Sequence, residues 1–328
     1  MRPAQPLPTS LWKRAFSLAE LRRLGVSPER VRRADVVPLG SGIYAAASLV
    51  ESVDDMGLHR LRALAVYREY PHGWLSHSSA ARLMDCPLPS RLSRETVVHL
   101  SVVRGQPRSR RSGVRTHLVS DDLGCAAAHP ELPEVRLSSP ERLYLELAAS
   151  CSVTELVVVG DWLVRHPRYR LERRDEAYSS IERIQNLVAT TGKVPGKSTA
   201  LEALNWVRVG ADSPKETAVR LALIRAGLPE PELQVRLDVL GPVIRYADAA
   251  YPEHRIALQY DGAGHFTPQQ ARADQRRDNE FAAAGWLVIR LNLSDDRESY
   301  ATAVHQVRQA LLARGWTGQQ LMRRIAVF

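Results

Sequence analysis

The chain has 328 residues, which favours two or three domains over one. With 45% hydrophobic and 25% charged residues it is neither disordered nor fibrous, and no 18-residue apolar run in it offers a membrane-spanning helix. The net charge of +9 suits a polyanionic partner such as DNA or RNA. Cys86, Cys125 and Cys151 are widely spaced and form no CxxC pair, which argues against a zinc site and a disulfide framework and for buried reduced thiols. The N-terminus has no apolar leader core, so the expected location is cytoplasmic, with no membrane partner.

The first nine residues hold three prolines and predict a frayed start. A helix is expected from Ser17, with Leu18, Leu21 and Leu24 on one face and Gly25 as its stop. Ser27-Pro28-Glu29 opens a second helix through Arg33, with Ser as N-cap and Pro at the first helical position. Val36–Tyr44 reads as a hairpin around Gly40-Ser41-Gly42. This order is the layout of a winged helix-turn-helix. Arg30, Arg32 and Arg33 would then lie on or near a recognition helix and reach phosphates or guanine edges.

A helix over 57–69 follows, then a short extended entry at Trp74 into a helix through Leu83. Ser76-His77-Ser78 has no acid at a recognisable spacing, so capping and packing are the expected roles. Strands are expected over Thr96–Val103 and Gly113–Leu118, joined by a basic turn with Arg104, Arg108, Arg110 and Arg111. That turn reads as a phosphate clamp, a docking loop or a solvated loop. Ser139-Pro-Glu-Arg142 caps another helix, and Thr154–Arg165 forms the next.

Residues 16–165 resemble the AbiEi-type antitoxin proteins. The resemblance rests on the helix-turn-helix start, Gly42-Ile43-Tyr44, Ser76–Ala81, the strand Val98–Ser101 and Ser139–Arg142. It implies operator DNA as a partner, and a toxin or self-association partner besides.

Residues 167–210 read as a helical linker with a break at Gly192–Gly196. Beyond it the expected order is a capped helix from Ser213 to about Ala226, strands over Gln234–Leu240 and Val243–Ala249, and a buried strand over Arg255–Tyr260. A helix over Pro268–Ala284, a strand over Trp286–Leu291 and a helix over Ser299–Ala313 complete it. The sum is a small mixed sheet flanked by helices.

Tyr246-Ala-Asp248, Gln259-Tyr-Asp261-Gly262, His265 and Arg276-Arg277-Asp278 carry the chemistry of this half. Acids at strand ends suit a hard cation held against a phosphodiester. The pattern resembles the PD-(D/E)XK nuclease superfamily, in particular its Vsr-like branch. By that resemblance Asp248 is the first acid of the motif and Asp261 its final position, together holding Mg²⁺ or Mn²⁺. Glu216 matches an auxiliary helical glutamate, although Ser213-x-x-Glu216 is also a capping box. His265 would orient water or assist the leaving oxygen, Arg276 and Arg277 would meet phosphates, and Asp278 would orient one of these groups. Gln259 departs from the pattern, because most relatives carry an acid there.

The expected organisation is therefore an α+β N-terminal region that begins with a winged helix-turn-helix (1–55) and continues as an AbiEi-like α+β domain (56–166). The linker (167–210) leads to an α/β domain of the restriction-endonuclease-like fold (211–328). The expected function is DNA binding with metal-dependent phosphodiester hydrolysis. The other reading is a non-catalytic regulator or antitoxin with a degenerate nuclease fold.

Overall fold

The protein, as a computed structural model, is described over residues 6–120, 126–129, 132–168, 172, 174–237, 245–260, 279–292, 295 and 299–318. It is a mixed α/β protein with three sheets, and it divides into two compact units. The first comprises Met1–Glu155 with Glu182–Leu201, the second Leu156–Ile181 with Glu202–Phe328. No helix among the described residues is long and apolar enough to cross a membrane.

The first unit opens with β1 (Phe16–Ser17) and α1 (Leu18–Arg23). The Ser17 hydroxyl accepts from the Glu20 amide and Gly25 takes a left-handed φ of 72°, as the start and stop signals require. Leu21 is fully buried, but Leu24 lies past the last helical residue and is exposed. The expected second helix is shorter than the sequence suggests. Pro28–Arg32 is a five-residue 3₁₀ helix, with Arg30 N bonded to Ser27 O three residues back. β2 (Val36–Gly40) and β3 (Ile43–Ala46) form the expected hairpin, and a three-stranded sheet runs β1-β3-β2. Leu11, Phe16, Leu21, Val26, Val36 and Ala46 fill its core.

α2 (Ala47–Glu51), α3 (Asp55–Tyr67), β4 (Trp74–Leu75), α4 (His77–Leu83) and α5 (Ser90–Ser93) follow. β5 (Val98–Val103), β6 (Val114–Val119), β7 (Ala126–Ala128) and β8 (Arg136–Ser138) complete a five-stranded sheet of order β6-β5-β4-β8-β7. β5 and β6 pair in parallel, so the basic segment between them is a crossover and not a hairpin turn. α6 (Pro140–Ala148) starts at Ser139, whose hydroxyl accepts from the Arg142 amide. α7 (Val153–Val164) comes next. The segment read as a linker contains α8 (Ile181–Thr190) and α9 (Lys197–Leu204), with buried Ile184, Val188 and Ala200.

In the second unit, α10 (Pro214–Arg225) is followed by β9 (Glu232–Leu237), β10 (Arg245–Tyr251), β11 (Ile256–Tyr260), β12 (Leu287–Leu291) and α11 (Ala301–Ala313). The sheet order is β12-β11-β10-β9, antiparallel except for the parallel β11–β12 pair. β11 opens with the apolar Ile256-Ala257-Leu258 because both its faces are covered. Leu258 joins a core with Val219, Leu223, Ile289, Val307 and Leu311, while Ala257 joins a second cluster with Leu237, Ala247 and Phe281.

Candidate functional site

In the second unit, strand pairing and one helix start bring polar groups together. Ser213 caps α10 by accepting from the Glu216 amide at 3.2 Å, which fixes Glu216 in the first helical turn. The reciprocal bond of a capping box would run to the Ser213 amide. Instead the Glu216 carboxylate accepts from the Asp212 amide at 2.8 Å. Asp248 lies on β10 where the ladder to β9 is interrupted. Pairing runs through Ala247↔Val235 and resumes at Ala249↔Leu233, and Gln234 between them has a left-handed φ of 49°. Such local irregularity re-aims a strand side chain. The Asp248 Oδ2 accepts from the Tyr260 amide at 2.8 Å. Gln259 Nε2 donates to the Tyr246 carbonyl at 3.0 Å, so the buried amide is oriented by the neighbouring strand. Parallel pairing sets Arg290 level with Gln259.

Burial first, and the negative charge of Asp248 second, push the Glu216 carboxyl up to about 7. Glu216 and Asp248 therefore share one electrostatic site. Arg168 Nε donates to Asp212 Oδ2 at 2.8 Å. Burial opposes the Arg168 charge, yet that bond and the charges of Asp212, Glu216 and Asp248 hold its pKa above the ordinary arginine value. The first turns of α10 rest on a buried network. Asp161 accepts from the Thr217 hydroxyl at 2.8 Å, the Arg208 amide at 2.7 Å and the Arg220 guanidinium at 2.8 Å. Arg220 also meets Glu230 at 3.0 Å and is fully buried.

Of the residues expected from the sequence, Glu216, Asp248 and Gln259 lie among the described residues, on α10, β10 and β11. Their carboxylate and amide oxygens are hard donors that suit Mg²⁺ or Mn²⁺. Asp261, His265, Arg276, Arg277 and Asp278 lie outside the described residues. Asp212, Arg168 and Arg290 were not anticipated. The one available signal was the lone arginine in the apolar run Leu287–Leu291.

The N-terminal arginines divide. Arg32 and Arg33 are exposed, Arg32 in an ion pair with Glu29. Arg30 is buried and makes a two-pronged ion pair with Asp35, so its guanidinium is committed to the fold rather than to a phosphate. Arg111 of the basic segment pairs with Glu69 and donates to the Ser41 carbonyl at 2.9 Å. A side chain on Gly42 would meet its guanidinium at 2.7 Å.

The first unit holds a second cluster, and here the sequence reading needs correction: the residues around His77 do have acid partners. His77, His99 and His117 are the group among the described residues able to offer three ligand atoms, all within 4.8 Å of one another. β5 presents His99, β6 presents His117 diagonally across the parallel pair, and His77 begins α4. His99 Nδ1 and His117 Nε2 are 2.9 Å apart. The rings stack, with centroids 3.7 Å apart for His77 and His117. His99 Nε2 meets the Glu95 carboxylate at 3.1 Å, and that carboxylate also accepts from the Ser78 hydroxyl at 2.7 Å. The buried Glu146 lies 3.6 Å from His77 Nδ1 and accepts from the Ser138 hydroxyl at 2.7 Å. Burial, then the neighbouring imidazoles, lower His117 to about 4 and His77 well below the usual range. Burial also lowers His99, against the pull of Glu95. Parallel pairing was the missing signal, because a hairpin at this point would not set His99 beside His117.

No protein-family model matches the chain. Two uncharacterized proteins of Mycobacterium tuberculosis, Rv2248 (strain H37Rv) and MT2308 (strain CDC 1551), are each 31% identical to it over 139 residues. The match covers 41% of this chain and 51% of each relative, so it spans about half of their length. The crystal structure of Rv2827c from the same species aligns with 62% of this chain and 74% of its own, at 17% identity and a TM-score of 0.35. A likeness of that strength establishes no shared fold.

Proposed function

We propose that the chain binds DNA through its N-terminal winged-helix-like segment and hydrolyses phosphodiesters with Mg²⁺ at the Glu216–Asp248–Gln259 cluster. This is the AbiEi-like and Vsr-like reading of the sequence. The observation that carries it is the pairing of Glu216 with Asp248. A carboxyl raised to about 7 by burial first and by a second carboxylate next is an arrangement that a divalent cation relieves. When bound, such a cation polarises a phosphate oxygen and lowers the pKa of water. The chain supplies the rest. Asp248 is held by the Tyr260 amide, Glu216 by the Asp212 amide, and Gln259 by the Tyr246 carbonyl, so three oxygen donors are oriented before a ligand arrives. Arg168, held on Asp212, offsets part of the negative charge gathered around Glu216 and Asp248.

One observation favours a non-catalytic regulator instead. The amide of Gln259 brings no charge where a third acid would strengthen cation binding.

Cleavage of supercoiled and mismatched duplex DNA with Mg²⁺ or Mn²⁺ separates the readings. Wild type is expected to nick, and Asp248→Ala to lose nicking by on the order of 10³-fold. Gln259→Glu is expected to tighten the apparent Mg²⁺ requirement about tenfold. DNA binding by wild type with no cleavage under any of these conditions overturns the enzyme and leaves the regulator.

A further inference from the structure

We propose that His77, His99 and His117 form a binding site for a zinc-class transition-metal ion in the first unit, with a coordination position left for water or a ligand. The donor atoms already converge within 4.8 Å. Zinc at about 2.0–2.1 Å from each nitrogen places imidazole nitrogens roughly 3.3–3.4 Å apart. The 2.9 Å pair of His99 Nδ1 and His117 Nε2 need only open slightly. The third ring, that of His77, is stacked on His117 with centroids 3.7 Å apart, so metal binding requires it to turn out of the stack and bring its in-plane lone pair to the same point.

What surrounds the imidazoles is what a metal site requires. Glu95 accepts from His99 Nε2, which holds the proton there and turns the Nδ1 lone pair toward His117. Glu95 is itself anchored by the Ser78 hydroxyl. On the other side, Glu146 faces His77 Nδ1 at 3.6 Å. It is fixed by the Ser138 hydroxyl, the His77 amide and Arg142 Nε at 2.7, 3.1 and 3.1 Å. Glu95 stands behind His99 in the position of a carboxylate–histidine–metal triad, while His77 Nδ1 meets the Ser76 hydroxyl at 3.1 Å with the Glu146 carboxylate beyond it. His77 also carries a left-handed φ of 51° at the first residue of α4, a strained placement that aims its ring at the sheet.

The donor set selects the metal. Three nitrogens without a carboxylate among the direct ligands suit zinc, cobalt, nickel or copper and disfavour Mg²⁺. Three protein ligands is also the number found where zinc keeps its fourth position for water or substrate. The cysteine spacing that argues against zinc does not bear on this set, because every donor is a histidine. The site is separate from the oxygen cluster of the second unit, and the inference does not depend on nuclease activity.

The test uses the untagged full-length chain, stripped with a chelator and then dialysed against Zn²⁺ or Co²⁺. Wild type and Asp248→Ala are expected to take up one equivalent, to show the visible spectrum of tetrahedral Co²⁺, and to gain thermal stability from Zn²⁺. His117→Ala should lose all three, and its place on an edge strand makes folding of the variant straightforward. His77→Asn is the second variant, because asparagine tolerates the left-handed backbone there. It should fold and fail to respond to Zn²⁺. Glu95→Gln should weaken binding roughly 10- to 100-fold with unchanged stoichiometry. No uptake by wild type, or equal uptake by wild type, His117→Ala and His77→Asn, overturns the site.

Discussion

The two units gather titratable side chains in opposite ways. The second sets carboxylates against one another and offsets them with guanidiniums: Glu216 with Asp248 and Asp212, Arg168 on Asp212, Arg220 on Asp161. The first stacks imidazoles against one another and places carboxylates behind them. Oxygen donors around one buried acid suit a hard cation, while converging nitrogens with anchored acids behind suit a borderline one. One chain thus offers two donor chemistries that different metals can tell apart.

The largest expected effect tests whether the oxygen cluster depends on the buried network beneath it. Arg220→Ala leaves Asp161 without its guanidinium partner in a fully buried position. The expected cost is about 3–5 kcal/mol in urea unfolding of the second unit. Zn²⁺ uptake by the first unit should persist. If that uptake also disappears, the two clusters do not belong to independent units.

A smaller effect distinguishes the units by pH. In metal-free protein Glu216 titrates near 7 when folded and near its ordinary 4.5 when unfolded. The folded chain then binds more protons than the unfolded chain between these values. Its stability therefore falls as pH rises from about 4.5 to about 7, by on the order of 3 kcal/mol. Denaturant titrations across this window should lose that slope in Glu216→Gln. An unchanged slope would show that another group titrates.

The smallest effect compares the two Ser-Pro caps. Ser139→Ala in the first unit and Ser213→Ala in the second each remove a bond to a first-turn amide, at 3.3 and 3.2 Å. Each should lower stability by about 1 kcal/mol. A larger loss for Ser213→Ala, measured in the same way, would mean that the cap also fixes the Glu216 carboxylate.

What could be read beforehand follows from the range of each signal. Caps, stops and strand alternation act within a few residues. Ser17, Gly25, Ser139 and Ser213 therefore mark their helices, and the apolar run of β11 announces a strand covered on both faces. Asp248 and Gln259 were singled out by the nuclease-like resemblance, and the antiparallel pairing of β10 with β11 sets them on neighbouring strands. The recognition helix was overread, since Ser27-Pro28 starts a turn of helix but too few residues follow to extend it. Arg30 looked like a surface cation until Asp35 claimed it.

The sequence by itself determined where many of the elements begin and end and which strands are buried. Tertiary structure alone decided the parallel pairing of β5 with β6, the interruption at Asp248, and the meeting of His77, His99 and His117. These depend on sheet register and on contacts between residues about 14 or more apart in sequence, where no local periodicity carries information.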